Sequence, residues 1–283
     1  MKKKQFRGII GHPVVGFGLI PDPPGHKYNG FFLHPASKLD AAALPKGTNN
    51  VVSAPPVWNQ AQTGSCYGHG MAGQITTTFA ARGKPLVSPV SPRDVYCITR
   101  EVDRPNPSVP LTDSGSQPNS GVRAMALWGV ALESEMDGGR TATSPDYSDY
   151  LTKHVNDDSK LGELEASSKR ILTGFNSIGD SDPNKILQFQ QALATGHAVG
   201  VGVDAGSDTF QSFSGQGVLD YCGDEPDHWI FVVDYRTSSS GQPEFLIQNS
   251  WGLGLWTPDG RAWVTRAFVE RGCFGSLVTN LGL

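Results

Sequence analysis

The 283-residue chain reads as an α+β fold with two lobes, helical first and β second. Three observations lead there. Apolar residues recur at helical spacing after Cys66 and again after Gly121. The second half carries runs rich in β-branched and aromatic residues, bounded by turn formers. The length suits one large domain or two lobes around a shared interface.

Residues 1–56 hold eight of the chain's 20 prolines. Proline removes amide donors and fixes φ, so this stretch reads as an extended arm with short edge strands such as 31–33. The domain proper is expected over 57–283, with lobes at about 57–180 and 181–283. From Cys66 to about Ala81, Met71, Ile75 and Phe79 recur at spacing four, and Gly83-Lys84-Pro85 stops the run. A second helix is expected over 121–135, on Val122, Met125, Ala126, Trp128 and Leu132. Residues 137–184 are polar and read as loop. A third helix should follow Ser181-Asp182-Pro183, carry Ile186, Leu187, Phe189, Leu193 and Ala194, and end near Gly196. Strands are expected at 198–203, 228–235, 244–249 and 261–265, with a turn marked by Gly252, Gly254 and W-T-P-D-G.

Composition excludes several classes of function. The chain is 38% hydrophobic and 18% charged, with a net charge of -4. That balance attracts neither nucleic acid nor an anionic membrane. No apolar run approaches the roughly 20 residues of a membrane-spanning helix. Lys2, Lys3 and Lys4 precede a semi-apolar stretch, but His12 and Pro13 interrupt it, so it does not read as a secretory signal. The compartment stays unassigned. Among four cysteines there is no C-x-x-C pair, so no zinc site is expected.

The stretch N-Q-A-Q-T-G-S-C-Y-G-H-G, residues 59–70, concentrates the candidate chemistry. A cysteine nucleophile must ionise near neutral pH, and a helix N-terminus favours the thiolate. Cys66 stands at such a start, after Gly64 and Ser65, whose small size lets a substrate backbone approach. Alone, it reads more readily as a buried structural cysteine. His228 opens the strongest strand, in D-H-W-I-F-V-V-D-Y, where an imidazole can be aimed at a helix end. Asn249 follows 21 residues later, at the end of the next strand, as two antiparallel neighbours would place it. It would orient the imidazole, with Trp251 covering the bond. The Cys66 amide and the Gln60 carboxamide would stabilise an oxyanion.

These motifs in this order, N-Q-x-x-x-G-S-C-Y, N-S-G, D-H-W and Q-N-S-W-G, resemble the papain-like cysteine peptidases over roughly residues 53–283. The chain looks like a divergent microbial or viral type. The resemblance implies a two-lobe fold with a barrel-like β lobe and the active site in the cleft. It implies Cys66 as nucleophile, His228 as base and acid, Asn249 as orienting amide, Gln60 as oxyanion donor and Trp251 as shield. It makes Asn119-Ser120-Gly121 a substrate-backbone binder, and Arg123 and Trp229 residues of a specificity pocket. It also implies a bridge between Cys222 and Cys273. A second bridge usual in the family is absent, its places falling on Thr63 and Pro118. Tyr67 stands for the usual tryptophan, and Gly68 and Gly70 sit inside a helix that should be rigid. The expected activity is endopeptidase hydrolysis through a thioester, on extended polypeptide, by a monomer without cofactor or metal. A catalytically silent module and a transpeptidase-type acyl transferase are the alternatives. Residues 1–56, short and proline-rich, are not expected to form the family's long helical prosegment. The arm should instead either plug the groove or brace the β lobe.

Overall fold

The computed structural model describes residues 18–20, 44–104, 108–136 and 172–281. The edge strand expected at 31–33 and residues 137–171 of the polar segment lie outside them. Helix α1 (Cys66–Ala81) starts at the N-cap Ser65, and Cys66 through Phe79 are all buried. Its glycines explain how it can lie so deep. A Cβ on Gly68 would stand 2.8 Å from Tyr96 Cβ. On Gly70 it would meet Trp229 Cδ1 at 2.6 Å, and on Gly73 Phe231 Cε1 at 2.5 Å. Each helical glycine costs about 1 kcal/mol of propensity. Burying Trp229 or Phe231 against the helix returns roughly 1.5–3 kcal/mol apiece.

Helix α2 (Pro92–Asp103) escapes the periodicity reading, yet S-P-R-D carries its start signal. Ser91 Oγ accepts the Asp94 N–H at 3.2 Å, and Pro92 fills the first helical position. Helix α3 (Pro118–Trp128) begins earlier and ends sooner than expected, because Gly129, at φ +85°, terminates it. Only a 3-10 turn, Glu133–Glu135, remains of the expected extension. Helix α4 (Lys185–Ala194) ends before Gly196 as read, while two short helices, α5 (Asp208–Gln211) and α6 (Arg266–Gly272), were not anticipated.

Six strands form the sheet: β1 (Leu172–Ser177), β2 (Val199–Val203), β3 (His228–Thr237), β4 (Pro243–Gln248), β5 (Arg261–Val264) and β6 (Phe274–Leu281). Their order is β1-β6-β2-β3-β4-β5, with every pair antiparallel. Strand β1 precedes the lobe boundary expected near 180 but pairs with β6. Neither β1 nor β6 alternates cleanly in sequence, so the pairing was not legible there. One core gathers α1, α2 and α3 around Met71, Ile98 and Met125, with Trp229 reaching in from β3. The other packs α4, α5 and α6 on the sheet around Phe189, Phe210 and Phe268. Gln74 on α1 joins the halves, donating to Leu277 O at 2.8 Å and Thr279 Oγ1 at 3.0 Å.

The bridge implied between Cys222 and Cys273 is not formed; both thiols are free. Cys222 turns its Sγ onto Asp220 O at 3.2 Å, while Cys273 is buried beside Lys185, whose Nζ donates to Cys273 O at 2.6 Å.

Candidate active site

The β3–β4 hairpin sets one wall of the site. Its register pairs Phe231 with Gln248, so Asn249, just past β4, lies beside the start of β3. His228 Nε2 and Asn249 Oδ1 are 2.8 Å apart. The Ser250 backbone N–H also donates to that oxygen, at 2.7 Å. A backbone N–H can only donate, which fixes the amide orientation and makes Nε2 the protonated nitrogen. Nδ1 is then the nitrogen that can exchange a proton. Trp251 covers the imidazole, with ring centroids 4.8 Å apart.

The other wall is the start of α1. Ala61 is the one non-glycine residue with positive φ among the described residues, at +53°, and its N–H is held by Asn59 Oδ1 at 2.8 Å. This left-handed turn swings Gln60 inward. Gln60 Nε2 donates to Thr63 O at 2.9 Å, and its Oε1 accepts from Ser250 Oγ at 2.6 Å. The network therefore runs from Asn249 through Ser250 to Gln60. It continues through Thr63 Oγ1 to Ser65 Oγ, 2.6 Å away, and on to His69 Nδ1 at 3.1 Å. Ser250, Thr63 and His69 are thus parts of the site that sequence reasoning missed or left idle.

Cys66 is fully buried at the first position of α1. Burial pushes its thiol up to about 12; backbone groups of Trp229, Gly18 and Tyr67 favour the thiolate, and Asp227 opposes it. Burial likewise pulls His228 down to about 4, against the bond to Asn249, with His69 lowering it further. Burial thus favours the neutral form of both groups.

The cover is the arm. Leu19 N–H donates to Asp227 O at 3.2 Å, Ile20 N–H to Ser116 O at 2.9 Å, and Ser116 N–H to Gly18 O at 2.7 Å. Leu19 thereby forms a parallel bridge with Ser116 and is 9% exposed. Gly18 crosses between Gly64 and Gly115 so closely that a side chain there would overlap the Gly64 carbonyl. The Leu19 tip lies over Gly202, where a Cβ would stand 2.9 Å from Leu19 Cδ2.

Several expected contacts are elsewhere. Asn119, Ser120 and Gly121 lie inside α3; Ser120 Oγ bonds Asp103, and Gly121 is pressed on the Tyr67 ring. The backbone that bonds the arm segment is that of Ser116, in the preceding loop, through Gly18 O and the Ile20 N–H. Arg123 is exposed on α3. Trp229 is 1% exposed and wedged against Tyr67, centroids 5.1 Å apart, so it is part of the core. The Ser65 hydroxyl faces Thr63 and His69. Gly64 does border the groove. The turn sequence D-S-G-S at 113–116, with Gly115 at φ +86°, was the available signal for the true edge.

A family model described as papain family cysteine protease matches residues 44–273. Vignain of Ricinus communis is 25% identical over 228 residues, covering 81% of this chain and 56% of that protein. Cathepsin L of Sarcophaga peregrina is 39% identical over 91 residues, covering 31% and 25%. The chain thus spans about half the length, or less, of these two curated relatives. Among solved structures, xylellain, a cysteine protease from Xylella fastidiosa, superposes with a TM-score of 0.67 at 20% identity, over 98% of this chain and 100% of that one. Digestive procathepsin L 3 of Tenebrio molitor larval midgut gives 0.64 at 19% identity, over 89% and 74%.

Proposed function

The chain belongs to the papain family of cysteine proteases, and from that premise we propose that it is an endopeptidase acting through Cys66, His228, Asn249 and Gln60. The observation that carries this reading is the His228–Asn249 bond at 2.8 Å, with its direction set by the Ser250 N–H. Nε2–H is committed to Asn249, so Nδ1 takes the thiol proton. The thiolate attacks the peptide carbonyl carbon, and the C=O electron pair moves to oxygen. The Cys66 N–H and the Gln60 carboxamide stabilise that oxyanion. Collapse breaks the C–N bond, and His228 returns its proton to the leaving amine. Water, deprotonated by His228, then splits the thioester and restores the thiol.

The described state is latent in this reading. Gly18 presents its N–H to the thiol, a donor where a substrate presents an electrophilic carbon, and its carbonyl is taken by Ser116. Residues 18–20 act as the plug, and an aliphatic side chain fits where Leu19 sits.

Labelling with a thiol-directed epoxide tests this, comparing wild type, Gly18→Val, Cys66→Ala and His228→Ala. Label should fall on Cys66 and increase in Gly18→Val, with peptide hydrolysis lost in Cys66→Ala and His228→Ala. Hydrolysis that survives Cys66→Ala sinks the assignment. Product analysis with added amine separates hydrolysis from acyl transfer.

A further inference from the structure

The groove around residues 18–20 has two backbone walls from distant parts of the chain. One is Gly64, two residues before Cys66; the other is Ser116, which bonds Gly18 and Ile20. A single carboxylate ties them together. Asp113 Oδ1 accepts the Gly64 N–H at 2.9 Å and the Tyr96 hydroxyl at 2.6 Å. The Tyr96 oxygen in turn accepts the Gly115 N–H at 3.1 Å. Tyr96 is fully buried on α2, with the Arg100 guanidinium 4.0 Å from its ring centroid. Arg100 Nη1 also donates to Thr112 O at 2.7 Å. The loop 112–116 is therefore pinned to α2 and, through Asp113, to the turn that carries Cys66.

We propose that Asp113 is a positioning residue for peptide binding, its carboxylate and the Tyr96 hydroxyl setting the gap between Gly64 and Ser116 into which an extended chain fits. This rests on reading the cleft as a peptide groove. The physical reason is the tolerance of the bonds involved. Backbone bonds to Ser116 weaken steeply beyond about 3.2 Å, so a loop that drifts loses them. Two donors on one acceptor oxygen, the Gly64 N–H and the Tyr96 hydroxyl, hold the loop against that drift. In the family resemblance this part of the chain would carry a disulfide. Here the tie is polar, so peptide binding should be indifferent to reductant. Asp113 is exposed on its outer side and acts on the substrate only through Gly64 and the loop to Ser116.

The test uses the full chain carrying Gly18→Val, which frees the groove, and a fluorescent peptide of the arm sequence F-G-L-I-P. Peptide affinity is read by anisotropy, and Cys66 reactivity by iodoacetamide alkylation in the same protein. Asp113→Ala and Tyr96→Phe should each weaken the peptide about ten-fold, with alkylation changed by less than about three-fold. Asp113→Asn keeps an acceptor oxygen for both donors and should stay within about three-fold of the parent. Unchanged affinity in Asp113→Ala, or alkylation slowed in parallel with affinity, overturns the proposal. A parent that binds no peptide overturns it as well. A peptide that binds, and loses affinity in Asp113→Ala, yet is never cleaved refutes the peptidase reading and leaves this one standing.

Discussion

The two described parts of the N-terminal arm hold to the protein by different chemistry. Residues 18–20 use three backbone hydrogen bonds and one apolar side chain in the cleft. Around residue 48 the arm is fastened by the Asp234 carboxylate on β3. That carboxylate accepts Thr48 Oγ1 at 2.7 Å, Asn50 N–H at 2.6 Å and Val51 N–H at 2.9 Å. Gly47 adds a bridge to Arg236 and Asn50 Nδ2 a bond to Leu193 O. Any extended peptide can reproduce the bonds at 18–20, so this contact is exchangeable. Among the described residues the bonds to the Asp234 carboxylate come from this segment, so the second contact is the more specific. We propose that the arm is both plug and brace, at different residues.

Acid should have the widest effect, bearing on both regions. Burial pulls His228, His69 and His197 down to about 4. The unfolded chain therefore binds these protons below about pH 6.5 while the folded chain does not, and stability is lost as pH falls from there toward 4. Burial raises Asp227 to about 6, which works the other way, favouring the folded state as pH falls through 6. Burial raises Asp180 and Asp204 as well, so the three histidines should outweigh these carboxyls only in part and lower the Tm by roughly 5–10 °C between pH 7 and pH 5. A flat Tm in calorimetry would count against the buried neutral histidines.

Asp234→Ala strands three donors and should lower the Tm by roughly 5–10 °C. Cys66 alkylation should stay as in wild type. If alkylation rises as well, brace and plug are one unit and the comparison fails. Thr48→Val removes the bond to Asp234 and the one accepted from Tyr235 N–H, and should cost roughly 1 kcal/mol, seen as a Tm lower by about 2–4 °C. Gly18→Val should move stability least, by under about 2 °C, yet raise the alkylation rate of Cys66 about ten-fold or more. A Tm loss as large as that of Asp234→Ala would make residues 18–20 structural.

How far the sequence spoke depends on how local each signal was. The start of α1 at Cys66 was legible because Gly64-Ser65 and the spacing of Met71, Ile75 and Phe79 all lie within 16 residues. His228 and Asn249 were placed as neighbours because one hairpin joins them. The groove edge was misplaced because N-S-G at 119–121 looks like a loop motif, while Pro118 in fact begins a helix there. Trp229 was misread for a related reason: a strand alternates sides, and the sequence does not say which face meets α1.

The sequence by itself determined the start of α1, the strands of the His228 hairpin and the order of the candidate catalytic residues, since caps, turns and periodicity act over a few residues. The tertiary structure decided that Gly68, Gly70 and Gly73 are there for close packing, that Ser116 edges the groove, and that Asp113 stands across from Gly64. It also decided that residues 18–20 lie against Gly64 and Ser116 beside Cys66, and that burial favours the neutral thiol and imidazole. Each of these joins residues tens to hundreds of positions apart. Burial and hydrogen-bond partners depend on what the rest of the chain brings to a residue, and no local pattern encodes that.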